Sequence, residues 1–265
     1  MSLVEMLNLV PPLLFVLFHA VEAVAPARRV PRSVSWRLRG LVWFVLSGAL
    51  FTNAPRLWIG WTTAHSLLDL HSAGLWGAPL AVLVANLLGY GLHRLRHSVP
   101  LLWRLHQLHH SAERLDVSGA FMFHPLETVL TAFVFSAAST LILGVTPEAA
   151  ALAGAVGFFM ACFEHANVRT PRWLGYLVQR PESHAVHHAR GHHASNYADL
   201  PVIDLLFGSF CNPARNEGQF GFYEGASRRI GRMLLGLDAT QPGDRARAPN
   251  GRYEQKVPVR IEASR

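Results

Sequence analysis

The sequence predicts an all-α integral membrane protein, with four to five apolar helices carrying a cytoplasmic, histidine-rich helical cap. Three observations lead there. Of 265 residues, 51% are hydrophobic and only 15% charged, against about 25% charged in an average soluble domain. The apolar residues fall in five blocks, near 3–25, 38–60, 75–92, 128–145 and 148–164. The arginines lie between these blocks, in alternate loops.

A bilayer crossing needs about 20 apolar residues. The first three blocks meet that. The first lacks a basic leader and is interrupted by Pro11-Pro12, so it is expected to be a retained span rather than a secretory signal. The fourth and fifth are short and joined by Gly144-Val145-Thr146-Pro147, which allows a full hairpin or a shallower re-entrant pair. Small residues from Ala149 to Gly157 suit the fifth to close helix packing. Arg28, Arg29, Arg32, Arg37 and Arg39 follow the first block, and residues 61–74 hold no Lys or Arg. Arg94, Arg96, Arg104 and Arg114 follow the third, the turn after the fourth has only Glu148, and the chain beyond His165 is again arginine-rich. Basic loops stay in the cytoplasm, so the N-terminus is expected outside and the C-terminus inside. Residues 227–237 suit an interfacial amphipathic helix or an ordinary packed one. The membrane domain is expected over 1–237. The Pro-, Gly- and Arg-rich tail, 238–265, is expected to be poorly ordered.

The net charge is +7, and Lys256 is the only lysine among 24 basic residues. Their placement in alternate loops fits topology and anionic headgroups, not nucleic acid. Cys162 and Cys211 form no CxxC pair. The sequence has no HExxH, no ExxH pair, no Walker A or GxGxxG and no GxSxG elbow. A zincin, a carboxylate di-iron bundle, a nucleotide or flavin site and an α/β-hydrolase elbow therefore lack support.

Histidine carries the chemistry. There are 15, most of them clustered. His93 and His97 form HxxxH; His106, His109 and His110 form HxxHH; His184, His187 and His188 form HxxHH again; His165 ends the fifth block. Residues three and four apart share a helix face, so each motif presents imidazoles together. Adjacent histidines point about 100° apart on a helix, which lets one HxxHH serve two nearby ions. Neutral imidazole binds iron, zinc and copper well. His19, His65 and His71 are expected to be ordinary packed histidines.

HxxxH, HxxHH, His124-Pro125-Leu126-Glu127, His165-Ala166-Asn167 and the second HxxHH resemble, in order and spacing, the fatty acid hydroxylase/sterol desaturase superfamily. The block from Asn196-Tyr197-Ala198 to Asp204-Leu205-Leu206-Phe207-Gly208-Ser209-Phe210 is similar to that family's ending. The resemblance covers about 75–212. It implies two iron ions, with zinc a possible substitute, held by His93, His97, His106, His109, His110, His165, His184, His187 and His188. It suggests supporting roles for His124, His192, His193 and Asn196. It also implies O2, a lipid substrate dissolved in the membrane, and hydroxylation or desaturation of a C–H bond. The chain has no room for a fused haem-binding domain, so a separate ferredoxin or cytochrome is expected to supply electrons. Arg94, Arg96, Arg104 and Arg190 are candidates to steer that donor or to meet lipid headgroups. The competing expectation is a histidine-rich zinc protein. It would be a transporter or store, or a zinc hydrolase using Glu164 or Glu182. Transport sites usually sit near the bilayer midplane, whereas these motifs sit at helix ends. Acyl, sterol, carotenoid and ether lipids all fit as substrates.

Overall fold

Among the described residues of the computed structural model (1–31, 33–215 and 218–242), regular structure is helical, with one isolated β-bridge between Ala189 and Phe220. Five helical stretches are long and apolar enough to cross a membrane: Leu3–Val24, Val34–Leu57, His71–Ser98, Pro125–Ile142 and Pro147–His165. The first combines α1 (Leu3–Leu7) and α2 (Val10–Val24). The second is α3 (Val34–Asn53) with a 3-10 turn, followed by a short α4 (Ile59–Ala64). The third is a 3-10 turn running into α5 (Gly77–Ser98). Then come α6 (Pro100–His110), α7 (Pro125–Ser136) with a π-helical end (Ala137–Ile142), and α8 (Pro147–His165). Three short helices follow: α9 (Pro181–His187), α10 (Pro201–Phe207) and α11 (Ile230–Leu234).

Proline sets five of these starts. Pro100, Pro125, Pro147, Pro181 and Pro201 each occupy the first position of a helix, where the missing N–H costs nothing. Pro100 matters most for the site. It forces Val99 into an extended conformation (φ −99°, ψ 117°), which ends α5 and turns α6 back beside it. The HxxxH helix and the first HxxHH helix are thereby brought face to face. Thr146 caps α8 by accepting from the Ala149 N–H, and Ser33 caps α3 by accepting from the Trp36 N–H.

The two ends of the bundle differ. At one end, loops 25–31 and 166–170 are tied together: the Ala27 N–H donates to the Asn167 carbonyl at 2.8 Å. The Asn167 side chain accepts from the Arg28 N–H and donates to the Arg28 carbonyl. Residues 99–124 and the segments after α8 pack at this same end, where the Trp36 indole donates to Asp116 at 2.8 Å. At the far end, Leu67, Leu68 and Leu70 donate their N–H groups to the carbonyls of Leu141, Ile142 and Leu143. Those carbonyls lie at the helix end, where no further N–H of the same helix follows. Gly144, at φ 58°, lets the two backbones approach, since a Cβ there would collide with the Leu68 carbonyl.

The five expected blocks correspond to the five stretches, with three local differences. α5 continues through the polar His93–His97 stretch to Ser98, because nothing breaks the helix before Pro100. Residues 227–237 do not form one amphipathic helix. Arg229 (φ −88°, ψ 34°) separates a 3-10 turn from a five-residue α11, whose Met233 is fully buried against Trp36, Leu108 and Met122. Asp238 is no structural break either. The Gln107 side chain donates to the Leu237 carbonyl and accepts from the Ala239 N–H, and Ala239 is fully buried. Arg32 and residues 243–265, Lys256 among them, lie outside the described residues.

Candidate metal centre

The nine motif histidines converge at one end of the bundle in two groups. His93, His97, His106, His110 and His187 form one; His109, His165, His184 and His188 form the other. Within each group the nearest ring nitrogens all lie within 4.8 Å of one another. The division follows a rule. Each HxxHH gives its i and i+4 histidines to one group and its i+3 histidine to the other. His106 and His110 join the first group while His109 joins the second; His184 and His188 join the second while His187 joins the first. The two motifs are reciprocal, so α6 and α9 each reach both groups.

Hydrogen bonding fixes which nitrogen faces inward. The Nδ1–H groups of His93, His165 and His187 donate to the carbonyls of Tyr197, Ala161 and Ser195, each at 2.8 Å. The His106 Nδ1–H donates to Glu127 Oε1 at 2.6 Å. In these neutral rings the proton sits on Nδ1, so Nε2 presents a lone pair. Yet His106 Nε2 lies 3.1 Å from both His93 Nε2 and His110 Nε2. His165 Nε2 lies 3.1 Å from His109 Nε2 and from His184 Nε2, which is 3.0 Å from His188 Nε2. Between His93 and His106, both protonated on Nδ1, the facing lone pairs cannot hydrogen-bond. They are arranged as donors around a shared cation. His97 Nε2 and His187 Nε2 are buried with no hydrogen-bond partner at all, a costly state that a cation relieves. The residues present therefore fit two metal ions.

Burial supports the same chemistry. His106, His109, His110, His184, His187 and His188 are held well below the ordinary imidazole range, chiefly by burial and then by neighbouring imidazoles. They stay neutral, the form that binds metal.

The other histidines divide more sharply than the sequence indicates. His193 touches the first group, with its Nδ1 3.2 Å from His110 Nδ1, and burial, then His192, pushes it down to about 4. It stands on a left-handed backbone (φ 44°) and packs with Trp103 and Phe222. His124 instead caps α7, accepting from the Leu126 N–H, and its Nε2 reaches the Leu234 carbonyl. His192 meets Ser195 Oγ at 3.4 Å and the Ala194 backbone. Asn196 bonds Ser183 and Cys211 backbone and so ties α9 to the segment after α10. His19 bonds Phe15 and Ser118, His65 bonds the Trp61 carbonyl, and neither they nor His71 belong to either group.

Two residues emerge whose roles the spacing did not disclose. Glu127 is buried, receives the His106 N–H, and lies 3.3 Å from Arg96 Nε. Arg96 also donates to Thr131 at 2.6 Å. Arg96 is therefore not available to headgroups or to a donor protein, because its side chain is buried and engaged with Glu127 and Thr131. Arg190 is likewise engaged, with Gly221, Gln219 and Phe220. The signal for Glu127 was present, in the acid of the His-Pro-x-acid element. Such a carboxylate fixes the ring orientation of a ligand histidine, and its loss typically costs 10- to 100-fold in metal affinity or activity. Glu127→Gln keeps the shape but removes the charge. It is expected to lose metal to a chelator at about 10-fold lower chelator concentration than the parent. Unchanged retention would show that the His106 ring is held without the carboxylate.

The two acids considered for hydrolysis differ. Glu182 is occupied by the Thr170 N–H and hydroxyl and by Arg180. Glu164 Oε1 stands 3.5 Å from His184 Nε2, beside the second group.

Comparison with known proteins gives a consistent family. A fatty acid hydroxylase model matches residues 78–209. Ornithine lipid hydroxylase OlsE of Rhizobium tropici is 35% identical over 141 residues, 51% of this chain and 42% of that protein. Alkylglycerol monooxygenase of Homo sapiens is 32% identical over 132 residues (48% and 28%), and that of Danio rerio 29% over 154 residues (57% and 34%). The chain thus spans less than half the length of these relatives. No solved structure matches it.

Proposed function

Because the chain belongs to the fatty acid hydroxylase superfamily, we propose that it is a membrane-bound, O2-dependent oxygenase that oxidises a C–H bond of a lipid. The observation that carries this is the pair of all-histidine groups at the ends of membrane-length helices, with the Nε2 lone pairs of His93, His106, His165 and His187 turned inward. Two iron ions bound there would supply O2 reduction and C–H oxidation; zinc fits the same donors and can substitute. The chain's own residues do the rest. The nine histidines hold the ions without adding charge. Glu127, backed by Arg96, and the carbonyls of Tyr197, Ala161 and Ser195 orient four of the rings. Phe123 stacks on His109 at 4.3 Å and closes that side of the second group against water. The remaining contribution is positioning of one lipid carbon.

For hydroxylation the balance is R–H + O2 + 2 e⁻ + 2 H⁺ → R–OH + H2O. Desaturation consumes the same reductant and releases two waters. The electrons come from a separate carrier, a ferredoxin or cytochrome. The cap faces the cytoplasm and the N-terminus lies outside, on the strength of the arginine distribution. The substrate is a fatty acyl, sterol or related lipid.

Lipid extracts incubated with iron-loaded protein, a reductase chain and 18O2 test the reading. A hydroxylase gives an alcohol carrying the label, and a desaturase gives an unlabelled alkene with O2 consumed. The zinc-hydrolase alternative retains one observation, Glu164 beside the second group. Product formation without O2 and reductant would favour it and overturn the oxygenase.

A further inference from the structure

Where the first and fifth membrane-length stretches end, the chain forms a half-open cavity of about 270 Å³. Its walls come from residues 27–28, just after α2, from 166–170, just after α8, and from the start of α9. Both helices leave the bilayer at this level, so the cavity lies at headgroup height. The wall is rigid. Asn167 clamps loop 27–28 through the three hydrogen bonds described above, and its own N–H donates to Glu22 at 2.8 Å.

The charge in the wall is one-sided. Arg28, Arg169 and Arg215 line it, with Glu182 as the one acid among its lining residues. Glu182 is already neutralised from behind by the fully buried Arg180, at 3.0 Å, and by two bonds from Thr170. The Arg28 guanidinium lies 4.6 Å from the Phe220 ring. Arg169 and Arg215 are exposed, and no hydrogen bond or ion pair of their side chains occurs among the described residues. Two uncompensated guanidiniums beside a third, around a preformed space, form a receptor for an anion. Arginine forks match phosphate and carboxylate oxygens in pairs. We propose that this cavity binds the phosphate or carboxylate of an anionic membrane lipid headgroup. The volume admits a phosphate with part of its glycerol.

The site shares a wall with the second histidine group, since Ala166 and Ala185 line the cavity and adjoin His165 and His184. Its existence does not depend on the oxygenase reading, and its test requires no turnover. Purified full-length protein in a neutral detergent is titrated with dioctanoyl phosphatidylglycerol, dioctanoylglycerol or inorganic phosphate, and the thermal midpoint is followed. The phosphatidylglycerol is expected to raise the midpoint saturably, and the uncharged diglyceride to leave it unchanged. Arg169→Gln/Arg215→Gln should weaken that binding at least tenfold. Arg37→Gln, which removes the same kind of charge at the same end, should change it less than twofold. Arg169→Lys/Arg215→Lys keeps the charge and should retain binding, which separates recognition from misfolding. Equal effects of diglyceride and phosphatidylglycerol would overturn the proposal. So would full binding by the double Gln variant, or protection by inorganic phosphate as strong as by the lipid, which would mark a site for free phosphate.

Discussion

A His109→Ala protein is expected to lose at least one metal ion per chain and all detectable turnover. The reason lies in the unequal groups. Removing His109 leaves the second group three imidazoles, whereas removing His187 leaves the first group four. His187→Ala should therefore be as inactive as His109→Ala but retain more metal. Elemental analysis of the two variants, set beside the parent at close to two ions, reads this directly. His19→Ala and His71→Ala should match the parent in both respects, because neither ring belongs to a group. Equal metal loss in His109→Ala and His187→Ala would refute the division into five and four. Full metal in both would refute the ligand set itself.

The largest expected effect on stability lies one layer out, at Arg180. Its side chain is fully buried, pairs with Glu182, and donates to Thr170 and to Asn212 Oδ1 at 2.9 Å. Arg180 is also the residue before Pro181, where α9 begins, and α9 leads through His184 and His187 to His188. Alanine there leaves the Glu182 carboxylate with its Thr170 bonds but without its arginine, and Asn212 Oδ1 with Ser183 alone. Removing one partner of a buried ion pair costs about 3–5 kcal/mol, which for a chain of this size lowers the thermal midpoint by about 10 °C. Lysine should not rescue it, because a single ammonium cannot reach Glu182, Thr170 and Asn212 together. A thermal melt of metal-free protein separates this from metal loss, and a midpoint within about 2 °C of the parent would remove Arg180 from the architecture of the site.

Much of this was legible in the sequence, and the reasons are local. Apolar length revealed the five stretches, and i, i+3 and i+4 spacing revealed which histidines share a face. The X-Pro junction at Val99-Pro100 was equally readable as a helix break. What spacing alone could not disclose was partnership between distant segments. The assignment of His187 to the group of His93, and of His165 to that of His109, depends on how α9 crosses α5, α6 and α8. Arg96 looked like a surface charge because its partner is Glu127, 31 residues away. His124 looked like a possible ligand because its motif is shared with Glu127, yet the imidazole is spent on capping α7 and the neighbouring acid serves the site instead. At 227–237 the interfacial and the packed reading were both open, and spacing did not reveal the break at Arg229. Met233 packs into the core while Leu234, Leu235 and Leu237 stay exposed, so the segment divides between tertiary packing and an apolar outer face.

The backbone pairing at the far end of the bundle bears on how the protein is made. The last turn of the fourth membrane-length stretch is π-helical, and the carbonyls of Leu141, Ile142 and Leu143 are satisfied by the N–H groups of Leu67, Leu68 and Leu70. Unsatisfied carbonyls are expensive in lipid. Translation runs in the favourable direction, because residues 66–70 leave the ribosome more than 70 residues before 141–143. When the fourth stretch enters the bilayer, its partner loop is already in place on the side it must reach. The helical hairpin of α7 and α8 is thus not an independent insertion unit. Its tip is completed by a segment laid down earlier, and a chain divided between α5 and α7 would have to reunite that seam within the membrane before the histidine end could close.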